Sequence, residues 1–316
     1  GDVYKRQELW YNIYTVEGNV ATLMEGDVED CTYTVEFAHE GEQRLAYFGV
    51  CAYTADETLG DVAVSNPVIM GAPHKLPFME TFNMAKFDNT GWWQIGDMEH
   101  IFYTYADYSS DEGSTAMMWK PELGYTETWL NSGKITLGNA THPMLIFDWM
   151  ANPGIDAGIE VYAVNGGCDE RLIGTLDFND WSGEASWQTE MIALDDFTGS
   201  NSMMIKFRAY GNAYGEPIFL DRIQVRNVLD KDMLVKLSCP GHLTAGKKNR
   251  VTVIAENNSL KPGDPYKVTL YADGDVIATA DGEALEPLGS KSFTFDVTPS
   301  VTASGNVIVT AEVESV

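Results

Sequence analysis

Short strand-like runs rich in Val, Ile, Thr and aromatic residues recur along this chain, broken about every 8 to 12 residues by Gly, Asn and Asp. That rhythm limits the fold more than any other feature. No stretch of helical length carries apolar residues at i, i+3, i+4 and i+7 between capping signals, so the sequence predicts an all-β protein. The clearest runs are 9–16, 44–53, 144–149, 159–164, 202–209, 251–256, 267–272 and 307–313. Gly18-Asn19, Asn165-Gly166-Gly167 and Asp273-Gly274 supply the left-handed backbone positions that tight hairpins require.

A length of 316 residues allows two or three such domains. Two changes along the chain mark boundaries. Residues 67–77 hold three prolines, which withhold ladder donors and suit a stiff connector. Near 227–232 the composition shifts: seven of the eight tryptophans lie between 92 and 187, and none follows. The expected units are therefore 8–71, 72–228 and 229–316. Residues 1–7 fit no pattern that follows and are left out of them.

The formal charge of −27 repels a polyphosphate backbone over the whole surface, which argues against nucleic acid as a partner. A hydrophobic content of 44% is nevertheless too high for a disordered acidic chain. No run of 18 apolar residues is present, so no membrane-spanning helix is expected in this segment. There is no Gly-x-Ser-x-Gly elbow, phosphate-binding glycine loop or His pair at i, i+4, which removes the common hydrolase, nucleotide-binding and zincin signatures. The string Glu25-Gly26-Asp27-Val28-Glu29 has the wrong spacing for a glycosidase carboxylate pair. The four cysteines contain no CxxC; Cys31 and Cys51 stand in neighbouring strand candidates, where they either pair or, the commoner case, remain two buried thiols.

Three family resemblances refine these expectations. Trp10-Tyr11-Asn12-Ile13-Tyr14, Cys31-Thr32-Tyr33-Thr34-Val35 and the run 45–53 resemble the third, fifth and sixth strands of a bacterial fibronectin type III domain, with its two opening strands missing. Leu76-Pro77-Phe78-Met79-Glu80-Thr81-Phe82, then Pro143-Met144-Leu145-Ile146-Phe147, then Ile218-Phe219-Leu220-Asp221-Arg222-Ile223-Gln224-Val225 are similar to the MAM-like jelly rolls called cleaved-adhesin or choice-of-anchor domains of Bacteroidetes surface proteins. The segments 251–258 and 266–274 resemble CARDB-type immunoglobulin-like spacers. These likenesses imply a partial fibronectin sandwich, a jelly roll and an immunoglobulin-like sandwich, forming a monomeric piece of a longer chain.

The jelly-roll resemblance implies a structural calcium ion, because an acidic residue of the opening strand and an Asp of the closing strand form such a site there. Glu80 and Asp221 are the corresponding residues here, with Asp88, Asp97 and Asp177 as candidates to complete six to eight oxygen ligands. Aromatic faces stack on sugar rings. Trp92, Trp93, Trp181 and Trp187 flank Gly, Asn or Ser and are candidate loop platforms, whereas Trp119 and Trp149 sit in apolar runs and are expected in the core. The function expected is that of a non-catalytic segment of a secreted or cell-surface bacterial protein, its jelly roll binding a glycan or an extracellular protein while the flanking sandwiches space it. Accessory modules of a larger secreted peptidase or glycoside hydrolase, and a purely structural stalk, are the alternatives.

Overall fold

The computed structural model describes residues 9–36, 40–54, 59–96, 101–106, 108–110, 115–121, 123–166, 169–300 and 305–315. It is all-β, with only single 3-10 turns at Asn83–Ala85 and Asp195–Phe197 besides strands among these residues. The chain divides into two compact units, Gly1–Arg226 and Asn227–Val316.

The first unit opens with β1 (Leu9–Glu17), β2 (Val20–Val28), β3 (Arg44–Thr54), β4 (Ala63–Val64) and β5 (Val68–Met70). They form one sheet in the order β2-β1-β3-β4, with β5 also pairing to β3. Gly18, at φ 58, makes the expected turn that sets Glu17 opposite Val20. Two expectations need correction. Residues 31–36 form no strand: they are almost wholly exposed, so their β-branched side chains have no surface to bury against. The proline-rich 67–77 segment is not simply a connector, because Val68–Met70 joins the ladder between its prolines and pairs with Arg44–Ala46. Cys31 and Cys51 do not pair; both are free thiols, and only Cys51 is buried. Cys168 lies outside the described residues.

Eleven further strands build a sandwich: β6 (Phe78–Glu80), β7 (Trp93–Ile95), β8 (Tyr103–Ala106), β9 (Thr115–Trp119), β10 (Thr126–Asn131), β11 (Pro143–Met150), β12 (Ala157–Asn165), β13 (Asp169–Asp177), β14 (Gln188–Ala193), β15 (Met203–Gly211) and β16 (Ile218–Asn227). One sheet runs β13-β12-β15-β10-β7; the other runs β14-β11-β16-β9-β8, with β6 on β16. Strict alternation turns Ile159, Val161, Ala163, Ile205, Phe207 and Ala209 of the first toward Leu145, Phe147, Ile218 and Leu220 of the second. Phe147 and Phe207 meet edge to face at 5.1 Å between the layers.

A buried side-chain amide links the opening segment to this sandwich. Gln43, buried just before β3, donates through Nε2 to the Lys134 carbonyl at 2.8 Å and accepts the Lys134 N–H at 2.6 Å through Oε1. The Lys134 carbonyl also accepts the His74 N–H at 2.8 Å. The side chain needs room, and glycine provides it: a Cβ at Gly133 would lie 2.9 Å from Gln43 Oε1 and 2.7 Å from the Thr90 carbonyl oxygen.

The second unit contains β17 (Met233–Ser238), β18 (Asn249–Asn257), β19 (Tyr266–Ala272), β20 (Asp275–Gly282), β21 (Ser290–Val297) and β22 (Val309–Ser315). Two three-stranded sheets, β17-β18-β21 and β20-β19-β22, enclose a core of Val251, Val253, Ala255, Val268 and Leu270.

Replacing Gln43 by Ala leaves the Lys134 N–H buried without its acceptor, a loss of roughly 1–3 kcal/mol. Urea unfolding of Gln43→Ala should show a lower midpoint. An unchanged midpoint would mean that the opening sheet is not held through this amide.

Candidate functional site

The outer face of the β12 sheet collects aromatic and charged side chains where an exposed face is ordinarily plain polar. The cause is alternation. With Thr128 and Leu130 turned inward, Glu127 and Trp129 of β10 must face outward. Glu160 and Tyr162 of β12, and Lys206, Arg208 and Tyr210 of β15, follow the same parity. Antiparallel register sets Trp129 and Glu160 on either side of Arg208, Tyr162 opposite Lys206, and Ile95 opposite Trp129.

Arg208 is the hub. Its guanidinium pairs with Glu160 at 2.8 Å and with Glu127, and donates to the Tyr125 hydroxyl at 2.9 Å. Partial burial works against the charge on Arg208, but the two carboxylates outweigh it and raise its pKa. Burial likewise works against ionised Glu160, yet the hydrogen bonds from Tyr162, at 2.7 Å, and from Arg208 prevail and hold its carboxyl below the usual range. Tyr162 lies against Trp129 with ring centres 5.4 Å apart. The Lys206 ammonium sits 4.5 Å from the Trp129 ring centre and pairs with Glu170. Rings and donor–acceptor groups are thus fixed side by side on three neighbouring strands.

The four tryptophans expected as platforms do not share a surface. Trp92 is core: it is 7% exposed and lies flat against Phe87 at 5.3 Å. Trp181 packs edge-on against Trp149 at 5.0 Å beside the same core. Trp187 sits on the outer side of the other sheet, edge-on to Phe219 at 6.2 Å. Only Trp93 belongs to the β12 sheet, on its edge strand opposite Asn131. Trp129, Tyr162 and Arg208 were not singled out from the sequence. The signal available was parity alone: each occupies the outward register of a strand whose inward residues are apolar.

The expected calcium ligands fall in three places. Glu80 of β6 pairs with Ile223 of β16, which puts it on the strand next to Asp221, and both are fully buried. Asp88 lies beside Glu80, where its side chain accepts the Thr81 N–H at 2.8 Å. Asp177 ends β13 in the opposite sheet and accepts the Asn179 N–H at 3.0 Å in a local turn. Asp97 is outside the described residues.

Glu80 is occupied as a hydrogen-bonded clasp. One oxygen accepts the N–H groups of Phe82 and Asp88 at 3.1 and 2.7 Å; the other accepts Asn89 N and Nδ2 at 3.0 and 3.3 Å. Burial is the largest influence on this carboxyl and raises its pKa against those donors. A carboxylate offers about four lone-pair sites, so none is left for an ion. Asp221 in turn accepts Ser109 Oγ at 2.9 Å and the N–H groups of Ser110 and Arg222 at 2.8 and 2.7 Å. Among the described residues, no three of His, Cys, Asp and Glu converge to hold a metal.

No family model matches the chain, and no curated protein matches it. Among solved structures, it is similar to the K3 cleaved adhesin domain of Lys-gingipain from Porphyromonas gingivalis, with 14% identity over 47% of this chain and 96% of that one, at a TM-score of 0.37. A CBM27-1 from Caldicellulosiruptor saccharolyticus, solved with mannohexaose, gives 12% identity over 48% and 97% at a TM-score of 0.36. TmCBM61, solved with β-1,4-galactotriose, gives 14% over 44% and 89% at 0.34. The functional reading rests instead on the residues of the face.

If the clasp alone orders residues 80–89, EDTA and millimolar calcium should leave the melting temperature unchanged while Glu80→Ala lowers it. Saturation at one hundred times a dissociation constant would add roughly 2.7 kcal/mol, several degrees in the melt. A calcium-dependent rise of that size would overturn the assignment.

Proposed function

We propose that the chain is a non-catalytic glycan-binding segment of a secreted or cell-surface bacterial protein, adhesin-like in role, with the outer face of the β12 sheet as its binding surface. The observation that carries this reading is the lattice around Arg208. Trp129 and Tyr162 offer apolar ring surface to the C–H faces of a sugar. Glu127, Glu160, Arg208 and the Tyr125 hydroxyl offer, within one ring's reach, the acceptors and donors that hydroxyl groups need. In a lattice already braced by ion pairs the side chains lose little further freedom on binding, which favours affinity.

The electrostatics favour binding over hydrolysis at this face. A glycosidase needs one carboxyl kept protonated near neutral pH to protonate the leaving oxygen. Glu160 is held in the opposite direction, and Glu127 is committed to the same guanidinium. The opening sheet and the C-terminal sandwich are read as spacers, the former resembling a partial fibronectin type III domain and the latter a CARDB-like domain. Among the described residues, no helix is long and apolar enough to cross a membrane.

Screening the full chain against a glycan panel should yield a saturable ligand. Trp129→Ala and Tyr162→Phe separate ring area from the hydroxyl. The first should cost about 2 kcal/mol, roughly 30-fold in affinity, if the ring is a central anchor; Trp187→Ala, on the other sheet, should cost nothing. Equal losses at Trp129 and Trp187, or no glycan bound at all, would defeat this reading.

A further inference from the structure

Beside the Arg208 lattice lies a cavity of about 410 Å3, walled on one side by residues 66–69 of the opening segment and on the other by residues from all five strands of the β12 sheet. Trp93, Val164 and Met204 give it an apolar wall; Lys134, Lys206 and Glu170 give it charge. Its size suits a single small-molecule ring, toward the lower end of ordinary ligand pockets.

Lys134 is the residue that needs explaining. It is only 8% exposed, and its backbone is pinned on both sides by Gln43, so the side chain starts from a fixed point. Lys206 already has Glu170 as its partner, which leaves Lys134 as the cavity's cation without a carboxylate partner among the described residues, in a chain of net charge −27. Burial pushes the Lys134 amine below the usual lysine value. A largely buried lysine with little water around its ammonium gains from an anion placed beside it. Two further lining residues carry orphaned groups: Trp93 Nε1 and Asn131 Oδ1 are buried without hydrogen-bond partners among the described residues. A buried donor, a buried acceptor and an unpaired cation around an apolar wall describe a polar, anionic ring rather than a greasy one.

We propose that this cavity takes the carboxylate-bearing ring of an acidic sugar, a hexuronate, with Lys134 as the charge partner of its carboxylate. The inference rests on the glycan reading above and names its ligand class. Ile95 lines the cavity and stands opposite Trp129 on the neighbouring strand, so a uronate seated against Lys134 would lie next to the platform. The opening sheet is then part of the site, because residues 66–69 close the cavity from the far side.

The test is calorimetric titration of the full chain with a glucuronate-terminated disaccharide, its glucose-terminated counterpart, and acetate alone, on the wild type, K134R, K134M and M204W. The wild type and K134R should bind the acidic disaccharide at least tenfold more tightly than the neutral one. K134M should bring the two to the same affinity without changing the neutral one. M204W, which fills the cavity without altering Lys134, should also abolish the preference, and it carries the test if K134M fails to fold. Equal affinity for both sugars in the wild type, a preference that survives both K134M and M204W, or acetate binding as tightly as the uronate would overturn the cavity assignment and leave the platform standing. Binding of neither disaccharide would overturn both.

Discussion

The interaction on which the candidate site depends is the double hydrogen bond between the Gln43 amide and the Lys134 peptide. It crosses from the loop before β3 to the segment that continues β10 beside β15, where Ile135 and Met203 exchange backbone hydrogen bonds at 2.7 and 2.8 Å. One buried amide therefore does two things at once. It satisfies a peptide group that lies outside any regular ladder, and it fixes the opening sheet against the sandwich so that residues 66–69 face Trp93 and Met204 across a cavity. Without the opening sheet, Lys134 would have solvent in place of that far wall, and a buried cation would become an ordinary surface lysine.

The sandwich separates its tasks by sheet. The inward faces are mostly apolar, and the fully buried carboxylates Glu80 and Asp221 each order a loop through N–H and hydroxyl donors. The β12 sheet's outer face is braced by ion pairs and ring contacts. The other sheet's outer face gathers Trp187, Phe219, Tyr105 and Tyr108, with Tyr108 stacked on Phe219 at 5.0 Å. That second face carries its own polar cluster, in which Asp148 pairs with Arg222 at 2.9 Å and accepts the Thr189 hydroxyl at 2.7 Å.

What the sequence disclosed follows from how local each signal is. Period-two alternation with turn residues marked the strands, because burial of one face is written into every second residue. Gly18-Asn19 and Asp273-Gly274 marked two hairpins for the same reason: Gly18, Asp273 and Gly274 all adopt the positive φ that the turns demand. The binding face was not legible. Judging tryptophans by their neighbours in sequence selected Trp92 and Trp181, which pack in or against the core, and passed over Trp129, whose exposure is decided by the parity of β10. Lys134 carried no signal at all, since its burial arises from a partner 91 residues away. Glu80 and Asp221 stand on adjacent strands, as the jelly-roll resemblance implies, but their hydrogen-bond donors come from loops whose course no spacing rule gives.

Charge on this protein acts on two length scales that oppose each other. At long range the net charge of −27 repels an acidic ligand, but that repulsion is screened beyond about 8 Å at physiological salt. At short range a cation such as Lys134, partly withdrawn from water by its burial, is screened less. An anionic sugar is therefore selected by the cavity and not drawn in by the surface. Raising the salt weakens the opposing field more than the contact itself, the reverse of what holds for a basic surface gathering acidic polymers. A largely buried cation in a cavity lined by Lys134, Lys206 and Glu170 would thus admit an anion that fits, while the net charge of the chain disfavours a polyanion too large to enter, which is how a strongly acidic chain can discriminate in favour of a negatively charged ring.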